Sequence, residues 1–306
     1  MSRRDLVQLL LLSAVWGASF ILIEISGRSF PPVWVALLRL TFGAAFLWTI
    51  LKLKGRALPP RSLIVPLLLV ALFNNAIPFT LFALGERTVP SSIAAVLNAT
   101  TPIWALLLTM AVQSTKPNRF TIGGVLLGFS GVMIVVFSHG NNSHGYGHEA
   151  AFFRGVFFIA LASLGYAIAT VIAKVKLKGL DPIGLATTQL SLAWIMLFPL
   201  AIFGSHPDVI HRNSVLAVIA LGIAGSGIAY LLYYDLLTRI QPTHVTAVTY
   251  LLPIWGLFWG FIAHEPILWT AYIGVTIVIS GLILLNMTPS PKPKPIPSER
   301  ACVAAE

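Results

Sequence analysis

The side chains able to do chemistry are few, and they sit in unusual company. Glu24, Arg39 and Asp235 lie within or at the ends of long apolar runs. An ionisable group at membrane depth is costly; it marks a pathway, a relay or a fixed ion pair. Glu24 and Asp235 each have an arginine four residues on, Arg28 and Arg239, which is the spacing of a helical ion pair. Arg39 cannot lose its proton at physiological pH, so it needs a partner, and Glu24 is the acid nearest in depth. We expect a gate or a fixed pair there, with Glu24 the candidate to exchange a coupling proton. Uncharged polar groups recur at similar depth: Asn74 and Asn75, Asn98, and Thr249 beside Tyr250. Such groups hydrogen-bond across helices or bind substrate. Two adjacent asparagines of an α-helix cannot face the same neighbour, so one of Asn74 and Asn75 should face a cavity or another helix. Trp16 lies about ten residues into its run, far from the interfacial belts where tryptophan concentrates, and is a candidate cavity wall.

Catalytic patterns are missing. There is no H-E-x-x-H, G-x-S-x-G or P-loop sequence, and no enzyme or cofactor is expected. The stretch HGNNSHGYGHE carries His139, His144, His148 and Glu149, a donor set a metal could use. Its spacing fits no zinc pattern, and the Gly and Asn between the donors describe a flexible loop. No metal is expected.

The elements that position these residues follow from composition. Of 306 residues, 57% are hydrophobic and 10% charged, against about 25% charged in soluble domains. Runs long enough to cross a bilayer as helices occur at 6–26, 33–51, 63–84, 91–112, 120–138, 154–174, 182–203, 214–237, 242–262 and 269–287. The first run follows two arginines, as in a signal peptide, but it extends to Ile25 with no A-x-A site after it. It reads as a retained helix.

The net charge of +10 does not point to nucleic acid. Numbering the ten runs in order, fifteen of the twenty Lys and Arg fall at the N-terminus and after even-numbered helices. Four fall on the other side, and Arg39 is within a helix. Positive loops stay in the cytoplasm, so both termini are expected there. The charge is expected to meet anionic lipid. Cys302, the single cysteine, excludes an intrachain disulfide. The last segment, PSPKPKPIPSERACVAAE, reads as a disordered basic tail over 288–306. A monomer or weak homodimer is expected.

An internal repeat organises the rest. The tripeptide Pro-Ile-Trp occurs at Pro102 and again at Pro253, 151 residues later. Pro32 and Pro182, Trp16 and Tyr166, and Ser13 and Ser163 match at an offset of 150, as do Gly124 and Gly131 with Gly274 and Gly281. Asn98 and Thr249 are mates as well. Two five-helix halves result, 1–138 and 154–287, joined by an outer loop at 139–153. Because five is odd, equivalent helices run in opposite directions. This is the inverted-repeat plan of many secondary transporters. The fold class is therefore an all-α membrane protein, with ten transmembrane helices as two inverted five-helix repeats. Proline is tolerated at depth where neighbours satisfy the freed backbone groups. Pro102 and Pro253 would mark the two helices that bend, each freeing a carbonyl near Asn98 or Thr249.

The stretches SAVWGASFILIE, PPVWVALLRL, SSIAAVLNATTPIWALL and THVTAVTYLLPIWGLFWGFIAHEP, in this order and in both halves, resemble the EamA transporters of the drug/metabolite transporter superfamily. The resemblance covers residues 6–287. It implies ten helices with both ends inside and movement of small metabolites, often amino acids or their derivatives, commonly outward. The family's acidic residue after the proline helix is kept as Glu265 in AHEP, whereas the first half reads QSTKP there.

The expected function is a secondary transporter of small metabolites across the inner membrane, an exporter of amino acids or related compounds, working by alternating access. The rivals are a multidrug or nucleotide-sugar carrier of the same superfamily and a non-transporting scaffold or membrane enzyme. Helices 1, 3, 4, 6, 8 and 9 should line the cavity and helices 5 and 10 should support it. Candidate substrate contacts are Trp16, Asn74, Asn75, Asn98, Tyr166, Thr249 and Tyr250. Candidate gate or coupling residues are Glu24, Arg39, Pro102 and Pro253. The partners are a small-molecule substrate, the lipid bilayer and protons as candidate coupling ion, with no nucleic acid.

Overall fold

The computed structural model describes residues 2–114, 116–140, 148–239 and 247–287, and these contain helices and turns but no strand. Ten apolar helical elements follow one another: α1 (Arg3–Gly27), α2 (Pro32–Leu53), α3 (Ile64–Gly85), α4 (Ser91–Gln113), α5 (Arg119–Gly140), α6 (His148–Lys176), α7 (Pro182–Phe203), α8 (Arg212–Arg239), α9 (Ala247–Ile262) and α10 (Trp269–Asn286). Eight are long and apolar enough to span a bilayer, and the two shorter ones are α9 and α10. Large apolar side chains on the outside, such as Phe203, Leu126 and Phe261, are 65–88% exposed. Water would penalise that surface, but lipid does not.

Local sequence sets the boundaries. Ser2 and Asp5 form a capping box at the start of α1, each bonding the other's backbone N–H. Pro32 and Pro182 open α2 and α7 in the first turn, where the missing N–H has no intrahelical partner anyway. Asp181 caps α7 by accepting from the Gly184 N–H at 2.9 Å.

The repeat mates pack against each other. α5 lies along α10 so closely that a Cβ on Gly131 would fall 2.6 Å from the Gly274 carbonyl oxygen. One on Gly124 would fall 2.8 Å from that of Gly281. These glycines bring two backbones into contact, as expected of a small-residue stripe. α2 and α7 are joined by two indole hydrogen bonds. Trp48 donates to Ser191 at 3.0 Å and Trp194 donates to Thr41 at 2.8 Å. The accepting hydroxyls, Thr41 and Ser191, are themselves 150 residues apart.

Two helices contain a matched irregularity. α3 widens into a π-helical turn at Leu72–Ala76, and α8 does so at Ile223–Ile228, 151 residues later. Such turns are rare and concentrate at functional sites. The proline helices, by contrast, do not match. α4 is broken at Ala99 and Thr100 between Ser91–Asn98 and Thr101–Gln113, with Pro102 in the first turn of the second piece. α9 runs unbroken through Pro253. The two proline helices thus differ in continuity: the first is interrupted before Pro102 and the second stays helical through Pro253. The break is held by more than proline. The Leu97 carbonyl accepts from the Thr100 N–H at 3.1 Å, the Thr100 hydroxyl at 2.7 Å and the Ser163 hydroxyl at 3.3 Å.

Candidate functional site

The polar centre is built where the two π turns meet α2 and α7. Arg39 is 7% exposed. Its Nε donates to the Ser226 hydroxyl at 2.9 Å and its Nη2 to the Gly225 carbonyl at 3.4 Å. Its guanidinium lies 3.8 Å over the Phe79 ring, a cation–π contact strengthened by the dry surroundings. The Glu24–Arg39 pair expected from depth is not formed; Glu24 instead pairs with Arg28 at 3.2 Å. Depth along a helix says nothing about which way a side chain faces, and Arg39 faces the α8 π turn.

Asn74 and Asn75 occupy the α3 π turn. Asn74 Nδ2 donates to the Tyr230 oxygen at 3.0 Å and to Gln189 Oε1 at 3.3 Å, while the Tyr230 hydroxyl donates to Asn75 Oδ1 at 3.3 Å. Both asparagines thus meet one tyrosine. That corrects the reading from α-helical geometry, because the extra residue of a π turn rotates its neighbours onto a shared face. Two buried donors, Asn75 Nδ2 and Gln189 Nε2, have no hydrogen-bond partner among the described residues. Arg39 and Gln189 bring α2 and α7 into the centre, beyond the six helices expected to line it. Gln189 and Tyr230 were missed in the sequence; the signal was a glutamine inside LATTQLSLAW and a tyrosine one residue after the IAGSGIA stretch.

Trp16 and Tyr166 make ring contacts at matched positions. Trp16 packs against Tyr233 at 5.6 Å between ring centroids, and its mate Tyr166 packs against Phe82 at 5.9 Å. Phe82 and Tyr233 are 151 residues apart. Trp255 of the second Pro-Ile-Trp donates to the Ser13 hydroxyl at 2.9 Å, its Cβ packed on Gly17 of α1. Trp104 of the first lies 5.2 Å from Phe129, and its buried indole N–H has no partner among the described residues. Asn98, at the α4 break, accepts from the Thr101 hydroxyl at 3.3 Å. Thr249 and Tyr250 are half-buried on α9.

The two ends of the bundle carry opposite devices. At the N-terminal end Arg239 is the hub. It pairs with Asp235 at 2.8 Å and Asp5 at 3.2 Å, and it donates to the Gln8 amide oxygen. Gln8 also donates to Asp235 at 2.9 Å. The Asp235–Arg239 pair expected from spacing is present, embedded in a wider network. A groove of about 410 Å³ lined by Arg3, Arg4, Val7, Gln8, Leu11 and Leu232 lies beside it.

At the opposite end Glu265, from the turn between α9 and α10, caps α4 from outside its own segment. Its carboxylate accepts from the Ser91 and Ser92 N–H groups at 3.1 Å each and from the Ser91 hydroxyl. Negative charge at a helix N-terminus is favourable. Glu24 and Glu86 lie beside it. Glu86 was missed in the sequence because it falls two residues past the apolar run and reads as an exposed turn. Of the loop histidines, His139 Nδ1 lies 3.0 Å from the Val135 carbonyl oxygen. His144, the side chain of His148 and the tail 288–306 lie outside the described residues.

A ten-helix membrane bundle, with a part-satisfied polar centre between paired irregular helices and charged clusters at both ends, is the build of a transport protein. The model of the EamA-like transporter family matches the chain twice, over residues 6–137 and 153–287, and the chain belongs to that family. An uncharacterized transporter of Archaeoglobus fulgidus is 27% identical over 93% of this chain and 98% of its own. The uncharacterized transporter YoaV of Bacillus subtilis is 24% identical over 90% of this chain and 94% of its own. The uncharacterized inner membrane transporter YedA of Escherichia coli K12 is 25% identical over 89% and 87%. A solved crystal structure shares the fold at a TM-score of 0.66 and 17% identity, over 93% of this chain and 96% of that one.

Proposed function

We propose that the protein is a secondary carrier of the inner membrane, with both termini in the cytoplasm, that exports amino acids or related carboxylate-bearing metabolites by alternating access of two inverted halves. The observation that carries this reading is the polar centre. Arg39 belongs to it, as do two buried amide donors, Asn75 Nδ2 and Gln189 Nε2, that have no partner among the described residues. A buried donor left unmade costs about 1–3 kcal/mol, so such groups are kept where a ligand supplies the acceptor. A carboxylate offers acceptors only, and Arg39 supplies the balancing charge. The apolar part of the substrate would lie along the walls of Trp16 and Tyr233 on one side and Tyr166 and Phe82 on the other.

The matched π turns support a mechanism in which α3 and α8 change shape together. Their wide turns leave backbone groups free to exchange partners. Asn98 and Thr249 would flank the substrate on α4 and α9, where the Pro102 break and the Pro253 helix would transmit the change. Both halves being matched by one family model, and the pairing of α5 with α10, support the division into repeats. No step requires an enzyme, a cofactor or a metal.

The test is an overexpression screen for tolerance to toxic amino acids and metabolites, followed by efflux from proteoliposomes. The wild type is expected to confer resistance to at least one carboxylate-bearing compound. Asn75→Leu and Gln189→Leu should raise the substrate KM about tenfold or more, in line with the loss of a hydrogen bond to a charged group. Asn98→Ala should also impair export. Proteoliposomes that move nothing would leave a scaffold.

A further inference from the structure

Glu86 stands out among the buried groups. It lies in the turn past the end of α3 and is 7% exposed, and both carboxylate oxygens are buried with no hydrogen-bond donor among the described residues. Its charged surroundings are unfriendly to an anion. Glu24 of α1 and Glu265 of the α9–α10 turn lie within electrostatic reach of it, while Arg39 of α2 is the balancing cation and is held by Ser226, Gly225 and Phe79. Tyr166 of α6 faces the same space. Its chain neighbour Arg87 is exposed, as are Arg154 and Glu149 on α6. An ionised carboxylate buried without a partner is strongly disfavoured. The room around both oxygens is closed, so a proton is the ligand that fits.

We propose that Glu86 is the proton-binding site of this carrier, holding a proton while the helix ends around it are closed and releasing it when they part. Three features of the geometry require this. The carboxyl is buried, it has no donor among the described residues, and two like-charged neighbours lie near it, one on a helix and one in a turn. Burial pushes the Glu86 carboxyl well above the usual carboxylate range, Glu24 and Glu265 push it further, and Arg39 opposes them. Parting of the α1 and α3 ends and the α9–α10 turn would hydrate the carboxyl and separate it from Glu24 and Glu265. Both changes lower its proton affinity, so opening and deprotonation are linked. Glu24, paired with Arg28 at 3.2 Å, becomes a tuning group rather than the coupling acid. Binding of the proton stands on the geometry alone; its use in transport rests on the carrier reading above.

The full-length protein in liposomes tests the site by infrared difference spectroscopy during a pH titration, with protons as the only ligand. The chain has ten carboxylic side chains, few enough for one buried acid to be resolved. At a pH where ordinary carboxylates are ionised the wild type is expected to keep a protonated carboxyl C=O band that Glu86→Gln removes and Glu86→Asp keeps in shifted form. Glu24→Gln removes a repelling charge, so the band should disappear on alkalisation about one pH unit earlier than in the wild type. An unchanged band in Glu86→Gln would overturn the proposal. If that variant does not fold, an unshifted titration in Glu24→Gln would overturn it instead. An intact band in vesicles that transport nothing would sink the carrier reading and leave the proton site standing. Transport whose pH dependence survives Glu86→Gln would separate the site from coupling.

Discussion

Arg39 joins three different kinds of contact in the polar centre. Its guanidinium lies flat on Phe79 while its edge serves Ser226 and the Gly225 carbonyl. A lysine could keep the charge but not the plane or the fork. Arg39→Lys is therefore expected to destabilise the folded protein by about 1–3 kcal/mol through the lost stacking and hydrogen bonding. Thermal unfolding in detergent should show a clear drop. Arg28→Lys at the exposed Glu24 pair should fall within error, because a surface pair contributes about 0–1 kcal/mol. Equal losses in the two variants would mean that Arg39 acts only as a charge. The sequence made Arg39 visible as an arginine in an apolar run. Its partner was not visible there, because the choice between Glu24 and Ser226 depends on helix rotation and on a π turn that propensity does not announce.

The helices show a similar mixture. The span boundaries were legible because apolar length and flanking charge report the bilayer directly, and α2 and α7 begin at the prolines the repeat aligns. The π turns at Leu72–Ala76 and Ile223–Ile228 were not legible, although FNNA and AGSG already broke the apolar pattern at matched positions. The two prolines illustrate why a motif is not a conformation. Pro102 lies in the first turn of the second α4 piece, where an N–H has no intrahelical acceptor; Pro253 lies inside α9, where one does. Pro253→Ala regains a backbone N–H donor and removes the ring's clash with the preceding turn, so it is expected to stabilise the protein, by up to about 3 kcal/mol. In Pro102→Ala the regained N–H has no intrahelical acceptor, and Thr100 and Ser163 still hold the Leu97 carbonyl, so little change is expected. Thermal unfolding decides the order: if Pro102→Ala proves the more stabilising, proline alone makes the α4 break.

At the scale of the molecule, the repeat converts a sequence offset into a statement about sides. The offset was readable from Pro-Ile-Trp and its companions. The contacts that give it physical content were not: Trp16 with Tyr233 and Tyr166 with Phe82, or Thr41 and Ser191 each accepting from an indole of the opposite helix. Glu86 escaped for a related reason, since the chain at Gly85 packs against Gly155 and Ile159 of α6, far away along the chain. Inversion itself makes a sharp demand. Arg61 precedes α3 and Arg212 opens α8, the same place in each half, 151 residues apart, and both are exposed. If the halves are inverted, these mates lie on opposite faces of the membrane; a parallel duplication would put them on the same face. Replacing Cys302, the single native cysteine, with serine gives a silent background for Arg61→Cys and Arg212→Cys. A membrane-impermeant maleimide added to intact cells is expected to label Arg212→Cys and to reach Arg61→Cys only after permeabilisation. The reverse result would turn the whole protein over, with the termini outside. Labelling of both from one side would remove the inverted repeat, and with it the geometric basis for two halves rocking about the Arg39 centre.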